Sequence, residues 1–312
     1  MYGLGSDIVG ALPLIHVKSM LFGNRLISLP FCEYGGPFLQ PHLKPEEATD
    51  ATKKLLGAAD DLANHLNADY IELRHPSVTD ESALINGGYD EQQSYVTFQI
   101  ELTRGNKQLW NSLDKKTRNA VRKSQKSGLE AQEVNEPAQL KEYYVLYLQT
   151  QKRLGSPPHS LKLFENLFSA FSTSKKMRMI LAKLQGQPVA GITVFCHGNN
   201  VFWWNNVSDI KHRSLNPTNL LLWNTIEWAV ENGYKTMDLG RTRKPSTSYE
   251  FKSGWGGEEK PLTDYVRFLS SHKGELPDPS QSRYQFLSSV WSFLPVAVAK
   301  RIGPRIIKGI AL

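Results

Sequence analysis

Cysteine is scarce in this chain: Cys32 and Cys196 are the two present in 312 residues, far apart and in no CxxC pair. That speaks against a disulfide framework and a structural zinc site. Both thiols are expected to be small buried residues in a reducing compartment. Long apolar runs are also missing. No stretch reaches the roughly 18 charge-poor residues that a membrane-spanning helix needs. The longest candidate, residues 290–312, carries Lys300, Arg301, Arg305 and Lys308. Residues 8–15 are apolar, but no basic segment precedes them and no small-residue cleavage site follows, so a secretory leader is not expected. There is no GxGxxG after the first strand and no Walker lysine loop, which argues against a dinucleotide or P-loop domain. HExxH, a His/Cys cluster and GxSxG are likewise absent from the sequence. No metal site and no nucleophile-elbow hydrolase are therefore expected.

What is present is ordinary packed-core material, 40% apolar residues, with a formal net charge of +7. The length allows two domains of about 150 residues. The positive balance favours anionic partners such as nucleic acid, phosphorylated substrates or an anionic membrane face. Residues 8–18 and 25–31 read as strands, and 46–67 as a helix with Leu55, Leu56, Ala59, Leu62 and Ala63 on one face. Strands follow at 70–73 and 95–102. The spacing predicts one amphipathic helix over 109–126 and further helices over 136–154, 161–171 and 217–231. Three consecutive strands, 177–184, 189–197 and 201–207, suggest a meander. A strand over 235–239, a polar loop over 240–260 and a last strand over 262–269 follow. This order predicts a mixed α/β (α+β) sheet with helices on its faces.

Several short motifs occur in sequence order. They are Trp110-x-x-Leu113 with Lys116-x-Arg118-Asn119-x-x-Arg122-Lys123, Arg153-Leu-Gly-Ser-Pro157, Pro188-Val-Ala-Gly191, Asn216-Pro-Thr-Asn219, Asp238-Leu-Gly-Arg241, and Tyr249-x-Phe251-Lys252-x-x-Trp255-Gly256. Together they resemble the FemAB-like branch of the GNAT N-acyltransferase superfamily. The nearest subgroup is the FemAB-related proteins of exopolysaccharide and protein-sorting loci. The resemblance implies two tandem GNAT-like lobes and transfer of an aminoacyl or acyl group to an amine. Because the chain begins almost on its first strand, the resemblance also implies a first lobe shortened at its N-terminus. The lobes are expected at 1–135 and 136–275, followed by a basic amphipathic tail at 276–312.

Acyl transfer needs a neutral amine, a polarised carbonyl and alignment of the two. Lys252 matches the family position at which a cation stabilises the tetrahedral intermediate or a donor phosphate; its plainer reading is a solvated loop lysine. Arg241, just past a strand end, suits a phosphate or carboxylate or a pairing with Asp238. Asp238 reads as a base, or as the group that orients Arg241 or caps a turn. Tyr249 and Phe251 flank Lys252 as substrate contacts. Tyr34, in Tyr34-Gly-Gly-Pro37, lies where glycines allow close backbone approach to a ligand or make a plain tight turn. Trp203 and Trp204 face opposite sides of their strand, and Trp204 is assigned to the cleft. Asn219 opens a helix at the junction where coenzyme A-binding GNAT domains carry a glycine-rich loop.

Eight basic residues lie between Arg104 and Lys126, opposed by Asp114 alone. Such a face repels itself unless it has an anionic partner. Arg118, Asn119, Arg122 and Lys123 are its expected substrate contacts, with a tRNA backbone or a phosphorylated or lipid-linked envelope precursor as partner. The expected enzyme moves an aminoacyl or acyl group to an amine of a peptidoglycan or polysaccharide precursor. It needs no tightly bound cofactor, and its co-substrate is aminoacyl-tRNA, acyl-CoA or an acyl carrier. Two alternatives stay open: an acyl-CoA-dependent N-acyltransferase on a small molecule, and a non-catalytic RNA- or membrane-binding module on a transferase fold. The expected location is cytoplasmic, with peripheral contact of the tail at an anionic inner membrane face.

Overall fold

The structure, a computed structural model, describes residues 1–4, 7–19, 22–75, 81–269 and 282–310. The first elements are β1 (Tyr2–Leu4), β2 (Asp7–Ala11), β3 (Ile15–Ser19), β4 (Gly23–Ile27), β5 (Phe38–Leu39), α1 (Pro45–His65), β6 (Tyr70–Leu73) and α2 (Ser82–Asn86). Then come β7 (Asp90–Glu101), α3 (Gly105–Ser112), α4 (Lys115–Gln125), β8 (Leu129–Glu133), α5 (Pro137–Arg153) and α6 (Leu161–Phe171). The chain continues through β9 (Met177–Leu184), β10 (Gln187–His197), β11 (Asn200–Ser208), α7 (Pro217–Glu231), β12 (Thr236–Asp238), α8 (Thr247–Ser253) and β13 (Glu258–Phe268). It closes with α9 (Ser282–Phe293) and α10 (Val296–Ile310).

Two compact units emerge. The first comprises Met1–Tyr95, Pro261–Pro279 and Lys308–Leu312, the second Val96–Lys260 and Ser280–Ile307. The boundaries differ from the expected division at 135. β8 pairs antiparallel with β9 and α4 packs on α7, so the basic helix belongs to the second unit.

In the first unit β4 pairs antiparallel with β3 and parallel with β6, which pairs antiparallel with β13. α1 lays Leu56, Ala59 and Ala63 into a core with Leu26, Ile71, Leu73, Leu84 and Tyr265. The expected single strand over 8–18 is two, β2 and β3, because Pro13 between them has no N–H for a ladder.

The second unit orders its strands β7-β12-β11-β10-β9-β8, with β11/β12 parallel and the other pairs antiparallel. Its two faces follow the period of two along a strand. On β9, Ile180 and Ala182 join α7 residues Leu222 and Ile226 on one side. Met177, Met179 and Leu181 join Tyr143, Tyr147 and Phe164 of α5 and α6 on the other. Gly191 has the Tyr143 ring where a Cβ would stand, 2.7 Å away, so α5 approaches β10 closely only because no side chain is there.

Pro304 lies inside α10. Burial of Ala299, Gly303 and Ile307 holds that segment, since helix stability in proteins comes mainly from packing. Cys196 is buried as expected, whereas Cys32 is exposed on the loop before β5. No helix among the described residues is long and apolar enough to cross a membrane.

Candidate active site

The site is built on the end of β12. After Asp238 the chain stays beside β7: the Leu239 N–H donates to Phe98 O at 2.9 Å, and Thr242 exchanges both backbone bonds with Val96 at 2.9 and 2.8 Å. Between them Gly240 bends the backbone at φ +75°, a conformation that suits glycine. Asp238, 3% exposed, lies inside this bend. Its carboxylate accepts from the Gly240 N–H at 2.7 Å, from Thr97 Oγ1 at 2.5 Å and from Gln99 Nε2 at 3.2 Å. A buried carboxylate needs such donors. The arrangement makes Asp238 the group that holds the turn.

The expected loop over 240–260 contains a helix, α8. Ser246 nucleates it: its Oγ accepts from the Tyr249 N–H at 3.1 Å and donates to Arg243 O at 2.7 Å. Glu250 in the first turn and Lys252 in the last suit the helix dipole. Half-buried Lys252 reaches back from α8 to the turn. Its ammonium donates to Gly240 O at 2.8 Å and to Arg241 O at 3.0 Å, and stands 5.8 Å from the Trp203 ring centroid. Arg241 is half-buried at the same turn. Asp238, Arg241 and Lys252, named from the sequence as the catalytic group, are thus gathered at one bend.

Their neighbours behave differently. Phe251 packs toward Trp203 and Trp255, with centroids 6.1 and 5.9 Å away. Tyr249 lies 5.3 Å from the Phe98 ring, and its hydroxyl donates to Glu259 Oε2 at 2.5 Å. Lys244 pairs with Glu259 at 3.1 Å and sits 4.9 Å over the Tyr249 ring. The Tyr249 hydrogen bond first, and the Lys244 bond second, hold the Glu259 carboxyl below its ordinary range. Glu259, Lys244, Thr97, Gln99 and Ser246 were not singled out from the sequence. For Ser246 a signal exists, a capping residue followed by an acid in the first helical turn. Thr97 and Gln99 come from β7 and Glu259 from β13, and they leave no local pattern.

The expected helix over 109–126 is two helices, broken at Leu113 and Asp114, both with extended backbone. Asp114 caps α4 by accepting from the Thr117 N–H at 2.5 Å, and its own N–H donates to Gly254 O at 3.0 Å. Arg118 turns back to donate to Asn111 O at 3.0 Å and Leu113 O at 2.5 Å. It thereby satisfies carbonyls at the end of α3. Asn119, Arg122 and Lys123 are exposed beside Lys115 and Lys116. Arg122 lies 5.4 Å over Trp110, which packs edge-on against Trp223 at 4.9 Å.

The remaining expected contacts are Trp204, Asn219 and Tyr34. Trp204 packs against Phe164 and Phe195 at 5.9 and 5.5 Å, on the α5–α6 side, so Trp203 is the member of the pair that meets Lys252. Asn219 is 8% exposed in the first turn of α7. Tyr34 belongs to the first unit, 5.4 Å from the His75 ring. The adjacent Gly35 is pressed onto Ser28, whose Oγ stands where a Cβ would point.

Residues 115–253, from the first residue of α4 to the last of α8, match the sequence model of the acetyltransferase (GNAT) domain. Comparison with curated proteins by sequence finds no match. Among solved structures the chain is similar to FemX, with a TM-score of 0.63 and 16% identity over 92% of this chain and 89% of that one. It is similar to the C-terminal domain of a protein assigned as a lysylphosphatidylglycerol synthetase from Agrobacterium fabrum, with a TM-score of 0.58 and 12% identity over 83% and 84%. A tandem GNAT protein of the clavulanic acid pathway gives 0.54 and 12% identity over 87% and 82%. The mixed α/β chain therefore has a tandem GNAT-like fold, and Asp238, Arg241 and Lys252 lie in the segment that matches the acetyltransferase (GNAT) domain.

Proposed function

We propose that this protein transfers an aminoacyl or acyl group to an amine of a phosphorylated or lipid-linked cell-envelope precursor, with aminoacyl-tRNA as donor. The observation that carries the reading is the bond from the Asp114 N–H to Gly254 O. It ties the start of the cationic helix α4 to the end of α8, the helix that bears Lys252. A polyanion lying on Lys115, Lys116, Arg122 and Lys123 would thus be held beside the Gly240 turn. There the neutral amine attacks the acyl carbonyl, the Lys252 ammonium and Arg241 guanidinium offset the charge growing on its oxygen, and the C–O bond to the donor breaks, the leaving oxygen taking the electron pair and the proton that the amine nitrogen gives up. The fold likeness to FemX and to a lysylphosphatidylglycerol synthetase domain supports an envelope acceptor.

The test is donor binding and transfer with the purified full chain, using charged tRNA, uncharged tRNA and an acyl-CoA across a salt series. Preference for charged tRNA with a steep salt dependence supports the reading, because each phosphate contact releases counterions. Saturable binding and turnover of acyl-CoA instead would move the assignment to a coenzyme A-dependent N-acyltransferase. Binding of RNA without transfer from any donor would make the chain a binding module.

A further inference from the structure

The two helices that end the chain present different chemistry to solvent. On α9, Phe286 is 68% exposed, Val290 47% and Phe293 81%. Their i, i+4, i+7 spacing places them within about 60° of one another around the helix axis. Leu287, 40% exposed, flanks this stripe. Trp291, on the opposite side of α9, is buried. On α10 the buried side is Ala299, Gly303 and Ile307, with Gly303 against Pro158. The outward side carries Arg301, Arg305 and Lys308, again at i, i+4, i+7 and all exposed. Neither helix contains an acidic residue, and none of these three cations forms an ion pair among the described residues.

We propose that α9 and α10 form a docking surface for an anionic lipid bilayer, with Phe286, Val290 and Phe293 entering the headgroup boundary and Arg301, Arg305 and Lys308 meeting lipid phosphates. Both chemistries suit that solvent and are supplied here by two consecutive helices. A second copy of the chain fits less well. A two-fold interface repeats the same patch on both sides, which would bring the two cationic rows toward each other. The docking surface stands independently of the transfer reaction, since no residue of the Gly240 turn takes part in it.

The experiment is sedimentation of the full chain with vesicles of phosphatidylcholine alone and of phosphatidylcholine mixed with phosphatidylglycerol, at low and high salt. The expected result is binding to the mixed vesicles that weakens with salt, and binding to the neutral vesicles at least about tenfold weaker. The double variant Phe286→Ser/Phe293→Ser should lose vesicle binding. Arg301→Gln/Arg305→Gln should weaken it by about 30-fold, at roughly 1 kcal/mol for each charge. All four side chains are exposed, so thermal melts should match the parent and show that the variants fold. Equal binding of parent and variants, or no binding to either vesicle, would overturn the proposal. So would a dimer in light scattering that Phe286→Ser/Phe293→Ser converts to monomer, which would assign the stripe to a second copy.

Discussion

The backbone N–H of Asp114 donates to the carbonyl of Gly254 at 3.0 Å, and no side chain fits between them: a Cβ on Gly254 would stand 2.5 Å from Thr117 Oγ1 and 2.8 Å from Asp114 Oδ2. Gly254 itself has φ −70°, which any residue adopts. The requirement for glycine is therefore steric, and it rests on the carboxylate that caps α4. Gly254→Ala should displace that cap and cost about 1–3 kcal/mol, read as a lowered Tm. Asp114→Ala should cost about 1 kcal/mol through loss of the cap alone. Because both act on one contact, the double variant should cost less than the sum of the two.

Lys252 holds two carbonyls of the Gly240 bend, so its replacement should show in both rate and stability. Lys252→Met keeps the apolar stem but loses the charge. Turnover should fall by about 100-fold or more if the ammonium offsets the oxyanion. Loss of its bonds to Gly240 O and Arg241 O should lower stability by about 2 kcal/mol. Single-turnover transfer and a thermal melt separate the two effects. A variant that melts earlier but turns over normally would leave Lys252 with a structural role alone.

His159 gives the protein an acid-sensitive point. Burial pushes the imidazole below its ordinary value of 6.5, because a buried ring resists taking a charge. In the unfolded chain the ring protonates as pH falls through 6.5 while the folded ring does not, so proton uptake favours unfolding. The contribution of His159 is thus fully present above 6.5 and is lost as pH falls below it toward the depressed folded value. Urea melts between pH 7 and pH 5 should show a decline that is smaller in His159→Gln.

Arg25 is fully buried and joins three elements of the first unit. Nη1 donates to Tyr70 Oη at 3.1 Å, Nη2 donates to the Ile310 carbonyl, and the guanidinium lies 5.4 Å from the Phe22 ring. A cation at a helix C-terminus opposes the negative end of the dipole. Arg25→Met should cost about 2 kcal/mol and speed hydrogen exchange at residues 308–310. Unchanged exchange there would show that Arg25 does not secure the end of α10.

Sequence pattern located α6 at Leu161–Phe171, α7 at Pro217–Glu231, β6 at Tyr70–Leu73 and β9 at Met177–Leu184 to the residue, and α5 and β10 to within two at either end. Those elements bury a strong apolar face, and burial writes its period into the residues. The cationic character of α4 and the turn glycine at Gly240 were equally visible, because charge and φ-permissive residues are local properties. The break at Asp114, the helix α8 and the exposure of Cys32 were not. A seven-residue helix held by one serine cap has no apolar period, and the break depends on Gly254, far away in the chain. Tertiary structure also decided that Trp203 rather than Trp204 meets Lys252, and that Asp238 is occupied by Thr97, Gln99 and the Gly240 N–H. A side chain's chemical type is written in the sequence, but its hydrogen-bond partners come from strands that only folding brings together, and those partners determine whether a carboxylate or an ammonium holds a turn or meets a substrate.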